Sequence, residues 1–178
     1  MVLSAALYAS AQDYNTEVQG FYQTYRNFSF QTGLSAFDIP DTKLNGGGFV
    51  LAQNLAPWFA MWTQLSFFGT VEQPNISLRI INNLEGFRFQ TKQHGPFRFY
   101  VKTGLGFTNY GVDLAGSSGG TTKFSWAYGG GAQIWLGEHF GVDLDLSHVF
   151  MGLPGFDLPN QESWDSGLTY TTGLAIRF

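Results

Sequence analysis

At 178 residues the chain is long enough for one domain with its own closed sheet. Its formal net charge is -4 and no basic stripe runs along it, so nucleic-acid binding has no footing. Cysteine is absent, which removes disulfides, thiolate chemistry and cysteine-based metal sites.

The first segment in chain order is a leader. Residues 1–11 are apolar and end in Ala9-Ser10-Ala11, the small-residue pattern of a secretory cleavage site. They read as a signal-peptide remnant without its basic start, leaving 12–178 as the mature domain. Eight short alternating runs follow, at 17–26, 44–54, 58–69, 76–91, 96–109, 123–136, 139–150 and 167–178. An even number of strands lets an up-and-down barrel close with both ends on one side. The connections alternate in length. Asn54-Leu55-Ala56-Pro57, Lys92-Gln93-His94-Gly95 and Gly137-Glu138-His139 are tight, whereas about 27–43, 70–75, 110–122 and 151–166 are longer and rich in turn formers. Outer-membrane barrels sort their loops this way, with short periplasmic turns and longer external loops.

The faces follow from period 2. In 17–26, Val18, Gly20, Tyr22 and Thr24 are assigned outward. In 58–69, Phe59, Met61, Thr63, Leu65 and Phe67 oppose Ala60, Trp62, Gln64 and Ser66. In 96–109, Phe97, Phe99, Val101, Thr103, Leu105 and Phe107 oppose Arg98, Tyr100, Lys102, Gly104 and Gly106. In 123–136, Trp126, Tyr128, Ala132, Ile134 and Leu136 oppose Ala127, Gly129, Gly131, Gln133 and Trp135. In 139–150, Phe140, Val142, Leu144, Leu146, His148 and Phe150 oppose Gly141, Asp143, Asp145, Ser147 and Val149. In the last run Leu168, Tyr170, Thr172, Leu174, Ile176 and Phe178 share one face.

Composition decides which face is outside. Aromatics are 17% and charged residues only 12%, with 23 glycines, against roughly 25% charged in soluble domains. Mean hydropathy is nevertheless -0.05, and no run of ~18 apolar residues offers a transmembrane helix. Bulky apolar side chains facing lipid around a narrow polar lumen account for all of this. Phe59, Phe97, Phe140 and Phe178 then lie near the tight turns, and Phe67, Phe107, Trp126, Phe150 and Tyr170 toward the long loops: two aromatic girdles. One run resists. Ile76, Leu78 and Ile80 share parity with Gly86 and Arg88, whereas Phe87 and Phe89 share parity with Glu85. A β-bulge near Asn82–Glu85 is the expected repair, turning Glu85 inward; without it Glu85 would face lipid, a costly placement.

Several segments carry a resemblance. EVQGFYQTYR, LNGGGFVLAQNLAPWFAMWTQLSFFGT, FSWAYGGGAQIWLGEHFGVDLDLSHVF and GLTYTTGLAIRF together cover most of the mature chain. They resemble the small outer-membrane β-barrel proteins related to the OmpA transmembrane domain, in the form common in acidobacterial genomes. The resemblance implies a terminal phenylalanine, here Phe178, read by the barrel-assembly machinery, with periplasmic chaperones as partners on the way. These residues include no counterpart of the peptidoglycan-binding domain of OmpA, so cell-wall tethering is not among the expectations.

Inward parity selects Arg88, Arg98, Lys102, Asp143, Asp145 and Arg177 as lumen residues. Lys102 and Arg98 are expected to meet Asp143 and Asp145 across the bore. Buried charges need partners, since breaking a pair costs about 3–5 kcal/mol, so a structural ion-pair plug outweighs a pore lined by the same groups. A lipid-modifying enzyme would need a histidine with a nucleophile. Asp145, Ser147 and His148 are adjacent, but parity sends Ser147 and His148 to opposite faces. Three scattered histidines give no metal spacing, and Gly46-Gly47-Gly48 and Gly129-Gly130-Gly131 lack the lysine and helix of a phosphate loop. The outer segments hold Phe28, Phe30, Phe37 and Pro40, and Pro154, Phe156, Pro159 and Trp164, which leaves surface adhesion open. The expectation is an all-β, eight-stranded antiparallel transmembrane barrel of the bacterial outer membrane. It is monomeric, in contact with outer-membrane lipid, without cofactor, metal or enzymatic activity. Its role is structural, with a small-solute channel, a lipid-modifying enzyme and an adhesin as alternatives.

Overall fold

The structure, a computed structural model, describes residues 16–30, 39–73, 76–114, 117–152 and 164–178. The segment 1–11, expected as a leader, lies outside them, as do Phe37, Pro154, Phe156 and Pro159. Eight strands fill the described residues: β1 (Thr16–Phe30), β2 (Ile39–Ala56), β3 (Phe59–Gln73), β4 (Ile76–Gln90), β5 (Phe97–Leu114), β6 (Ser117–Trp135), β7 (Phe140–Gly152) and β8 (Trp164–Arg177). Each pairs antiparallel with its chain neighbour, and β8 returns to β1, so the sheet closes into a barrel. The seam runs from Glu17↔Arg177 to Arg26↔Leu168. Phe178 N–H donates to the Thr16 carbonyl at 2.9 Å, pinning the first residue of β1 beside the end of β8. A closed barrel satisfies every interior strand and leaves no open edge, the condition for crossing hydrocarbon with strands.

The tight turns are as short as their sequences imply. Gly95 and Gly137 adopt φ of 59° and 117°, the left-handed region where glycine is at ease. The other ends differ from expectation. The segments 70–75 and 110–122 are mostly strand, with only 74–75 and 115–116 outside the described elements. The strands run on for 13 to 19 residues, where a tilted strand needs about 9–11 to span a bilayer. The extra length all projects at the end away from the tight turns, and its register shifts at Tyr25/Phe28 and Phe68/Val71.

Outside, the barrel presents Phe49, Leu51, Met61, Leu65, Val101, Leu105, Leu144, Leu146 and Leu174, all exposed. Between the aromatic rings at its two ends this surface is too apolar for water and matches a hydrocarbon layer. Inside, the filling has two zones. Polar side chains occupy the tight-turn half. Tyr25, Phe28, Leu44, Phe68, Leu78, Ile80, Leu84, Tyr110 and Met151 form an apolar cluster toward the opposite end. Glycines make room for the largest interior rings: a side chain at Gly104 would meet the Trp62 ring at 2.6 Å, and one at Gly131 the Tyr100 hydroxyl at 2.6 Å.

Strand β4 corrects one expectation. Its pairing with β3 is unbroken from Phe59↔Phe89 to Phe68↔Ile80, and with β5 from Gln90↔Tyr100 to Ile76↔Leu114. No bulge lies between Asn82 and Glu85. Leu78, Ile80 and Leu84 point inward and are buried, while Asn83 and Glu85 point outward and are exposed. The phase never changes; the chemistry of the two faces does. Beyond the lipid zone the outside of the barrel meets water, so apolar side chains turn inward there as in any soluble core.

Candidate functional site in the barrel interior

The interior charges sort into two groups. Toward the tight turns, Glu17 of β1 receives Arg88 Nη2 at 2.8 Å and also pairs with Arg98. One carboxylate from β1 thus ties together guanidinium groups from β4 and β5, on the far wall. Asn54 Nδ2 donates to Glu17 Oε1 at 2.9 Å, Gln90 Nε2 donates to Asn54 Oδ1 at 2.8 Å, and Arg98 Nε donates to Gln133 Oε1 at 2.8 Å. Arg88 lies over the Tyr100 ring and Arg98 over Trp135, at 5.4 and 5.3 Å from the centroids. Glu17, Arg88 and Arg98 are all buried.

The second group lies deeper. Lys102 Nζ sits 3.1 Å from Asp145 Oδ1 and 5.0 Å from the centre of the Trp62 ring. The Tyr100 hydroxyl stands between two carboxylates, 2.8 Å from Asp143 and 3.0 Å from Asp145. Ser147 Oγ donates to Asp145 Oδ1 at 2.6 Å. Taken together, these two groups set Arg88, Arg98 and Lys102 against Glu17, Asp143 and Asp145, while a fourth buried carboxylate, Asp165, lies nearer the far end. Charge balance with dense hydrogen bonding is what a buried ionic cluster requires to persist.

A third layer caps these two. Tyr25 donates to Asp165 Oδ2 at 2.7 Å and packs edge-on against Phe28 and Phe68, with centroids 6.2 and 6.3 Å away. Lower down, Asn82 Nδ2 donates to Thr108 Oγ1 at 2.7 Å, and the Thr108 hydroxyl lies 2.5 Å from that of Ser125. A cavity of ≈ 20 Å³ lies between the charge groups, lined in part by Gln64, Arg88, Tyr100, Lys102 and Asp143. That is room for about one water.

The lumen residues therefore assort differently from the expected pairs. Lys102 reaches Asp145. Arg98 does not reach Asp143 or Asp145; it is taken by Glu17, which outward parity for Val18 already placed inside but which sequence reasoning did not weigh as a charge partner. Asp143 is held by a tyrosine instead of a cation. Arg177 is corrected from lumen to mouth: it bonds the Glu138 carbonyl and Gln93 Oε1 (2.8 Å) among the tight turns and covers Trp135 at 4.1 Å. The last turns supply carbonyls that a guanidinium at the barrel's rim reaches more easily than any deep carboxylate.

On the outer wall, Phe97, Phe140 and Phe178 are exposed near the tight turns, with Phe59 half-covered by its contacts with Trp58, Phe87 and Phe89. At the other end, Phe67, Phe107 and Tyr170 are exposed. Trp126 and Phe150 stack with centroids 4.1 Å apart and planes 4° from parallel. His148 lies in that same outer cluster, its Nδ1 3.3 Å from the Tyr128 hydroxyl. Ser147 points into the bore and His148 out, so Asp145, Ser147 and His148 do not assemble a nucleophile and base. Among the described residues no three His, Asp or Glu side chains gather as a metal would need.

No protein-family model matches the chain, and no curated protein matches it. Its fold has clear counterparts among solved structures. Neisserial surface protein A matches over 92% of this chain and 97% of its own, with TM-score 0.71 and 12% identity. OprG, an outer-membrane protein of Pseudomonas aeruginosa, matches over 93% and 96%, with TM-score 0.65 and 13% identity. Ail, the attachment invasion locus protein of Yersinia pestis, matches over 94% and 100%, with TM-score 0.61 and 17% identity. The chain has the eight-stranded barrel fold of bacterial outer-membrane proteins.

Proposed function

We propose that this outer-membrane barrel is a structural element of the envelope with a sealed bore. The observation that carries the reading is the interior itself. Glu17 bridges Arg88 and Arg98 across one level, Tyr100 and Lys102 hold Asp143 and Asp145 at the next, and the Tyr25 cluster closes the far end. Ions crossing such a bore would need several buried contacts to break together. In this reading the apolar belt is its contact with outer-membrane lipid. Phe178, exposed at the end of β8, is the residue offered to the assembly machinery.

The test is conductance of the refolded chain in a planar lipid bilayer, beside Lys102→Ala and Asp145→Ala. Silence from protein shown to be folded by a heat-dependent gel shift supports the sealed bore. Steady conductance that shifts with either substitution replaces it with a channel.

A second reading, recognition at the cell surface, is favoured by one observation. The strands continue well past the length a bilayer needs, all at one end. They raise a rigid collar beyond the membrane on which loops can act. Cell-binding assays with the intact chain and with loop-exchanged variants would separate the two readings.

A further inference from the structure

The outer wall carries a polar interruption that the lipid does not explain. On β4, Asn83 and Glu85 point outward and are exposed. Glu85 is paired with Thr63 of β3 and Leu105 of β5. Thr63 is the middle outward residue between Phe59 and Phe67, the girdle aromatics of β3, while Phe87 and Phe89 lie below Glu85 on its own strand. Glu85 therefore stands near the centre of the apolar band. Neither Glu85 nor Asn83 has a hydrogen-bond or ion-pair partner among the described residues. A carboxylate facing hydrocarbon is costly, and such residues in spanning segments normally have a partner.

We propose that the β3–β4 wall around Glu85 and Asn83 is an interface with a second copy of this chain inside the bilayer. The patch is self-complementary. Asn83 supplies two N–H donors and Glu85 supplies acceptors, two residues apart on one face, about 7 Å along the strand. A two-fold axis along the membrane normal keeps every residue at its own depth, so this patch meets only its equivalent. It brings each Asn83 amide within side-chain reach of the other copy's Glu85, and places the Thr63 hydroxyls beside them. Lipid tails offer no donor, and a water-soluble protein does not reach this depth. The surrounding Leu65, Phe67 and Leu105 are exposed and apolar, so the contact exchanges lipid for protein there and gains hydrogen bonds at its centre. The expectation of a solitary monomer gives way, on this reading, to a dimer.

The chain contains no cysteine, so single cysteines report proximity without background. Leu65→Cys lies on the patch, paired with Asn83. Leu174→Cys lies on β8, on the opposite wall, where Leu174 is 70% exposed. In lipid vesicles at high lipid-to-protein ratio, oxidation is expected to link Leu65→Cys into dimers at least several-fold more than Leu174→Cys. Adding Glu85→Leu or Asn83→Leu is expected to bring the first down to the second, whereas Glu85→Gln, which keeps hydrogen-bonding atoms, retains most of it. Folding of each variant is read independently from its heat-dependent gel mobility. Equal yields at the two positions overturn the proposal, as does a Leu65→Cys yield that neither leucine substitution lowers.

Discussion

Glu17 and Arg88, 71 residues apart in sequence, meet at 2.8 Å inside the barrel. They come from β1 and β4, so the contact braces opposite walls, and Glu17 holds Arg98 of β5 at the same time. Replacing Glu17 with alanine leaves two buried guanidinium groups facing one another without a counter-charge, with Gln133 and Asn54 as their remaining acceptors. The expected loss is about 3–5 kcal/mol, read as a lower denaturant midpoint for the refolded barrel in lipid vesicles. Glu17→Gln keeps the hydrogen bonds to Asn54 and one arginine but not the charge, and is expected to fall between wild type and Glu17→Ala.

In the sealed bore proposed above, two closures of different chemistry are expected to act in series. Tyr25 is fully buried in the apolar cluster and bonded to Asp165. Tyr25→Ala is expected to cost about 3–5 kcal/mol, as large-to-small aromatic changes in cores do, yet to leave the bilayer silent, because the Glu17 group still closes the other half. Tyr25→Ala combined with Arg98→Ala is expected to conduct. Conductance from Tyr25→Ala alone would show that the ionic layer leaks.

Much of this was readable from alternation, and the misreadings of the β4 faces and of the long-loop ends share one cause. Strands β3, β5, β6, β7 and β8 carry bulky and small residues in strict turn, and their faces fall where period 2 puts them. The rule "bulky means outward" holds only where lipid lies outside. Leu78, Ile80, Phe68 and Tyr110 belong to the part of the wall that projects beyond it, and there they turn inward. Read as lipid-facing, Leu78 and Ile80 called for a bulge that the pairing does not contain, and that bulge turned Glu85 inward. The same projection explains the lengths of β5 and β6: Thr121, Thr122, Gly119 and Gly120 look like loop residues because a wet strand needs no apolar face. The pairing of Arg98 with Glu17 was hidden differently, since parity names which side chains enter the bore but not which of them meet.

Gly104 gives a sharper test of the packing. A Cβ there would fall 2.6 Å from the Trp62 ring, whose indole N–H donates to the Phe87 carbonyl at 3.0 Å and whose face supports Lys102. Gly104→Ala is expected to displace that ring at a cost of about 1–3 kcal/mol, the range for overpacking a filled interior. The near-ultraviolet circular dichroism of the tryptophans is expected to weaken with it. Gly119→Ala, where the same addition meets nothing within 4 Å, is expected to change neither.

The parallel stack of Trp126 on Phe150 is the tightest ring contact in the outer girdle among the described residues. Its strands β6 and β7 are joined by Trp126↔Phe150 pairing, so the stack adds to a contact the backbone already makes. A double-mutant cycle with Trp126→Ala and Phe150→Ala is expected to give a coupling of about 0.5–1.5 kcal/mol. A cycle pairing Trp126→Ala with Phe140→Ala, at the other end of the barrel, is expected to give none.

Glu85 is expected to reveal itself in stability as well as in association, with opposite signs in the two. In detergent at protein concentrations where copies do not meet, Glu85→Leu removes a carboxylate from an apolar surface. The isolated barrel is then expected to become more stable by up to about 2 kcal/mol, below the range for a cation at the bilayer midplane. At high protein-to-lipid ratio the wild type gains the partner's hydrogen bonds and the substituted chain does not, so the advantage is expected to shrink or reverse. Unfolding midpoints measured across a series of protein-to-lipid ratios give both signs from one pair of proteins. A residue that a sequence retains at a cost to the lone barrel is explained by what it does in the pair. If the gain from Glu85→Leu is the same at every ratio, the carboxylate serves no contact between copies and the β3–β4 wall faces lipid alone.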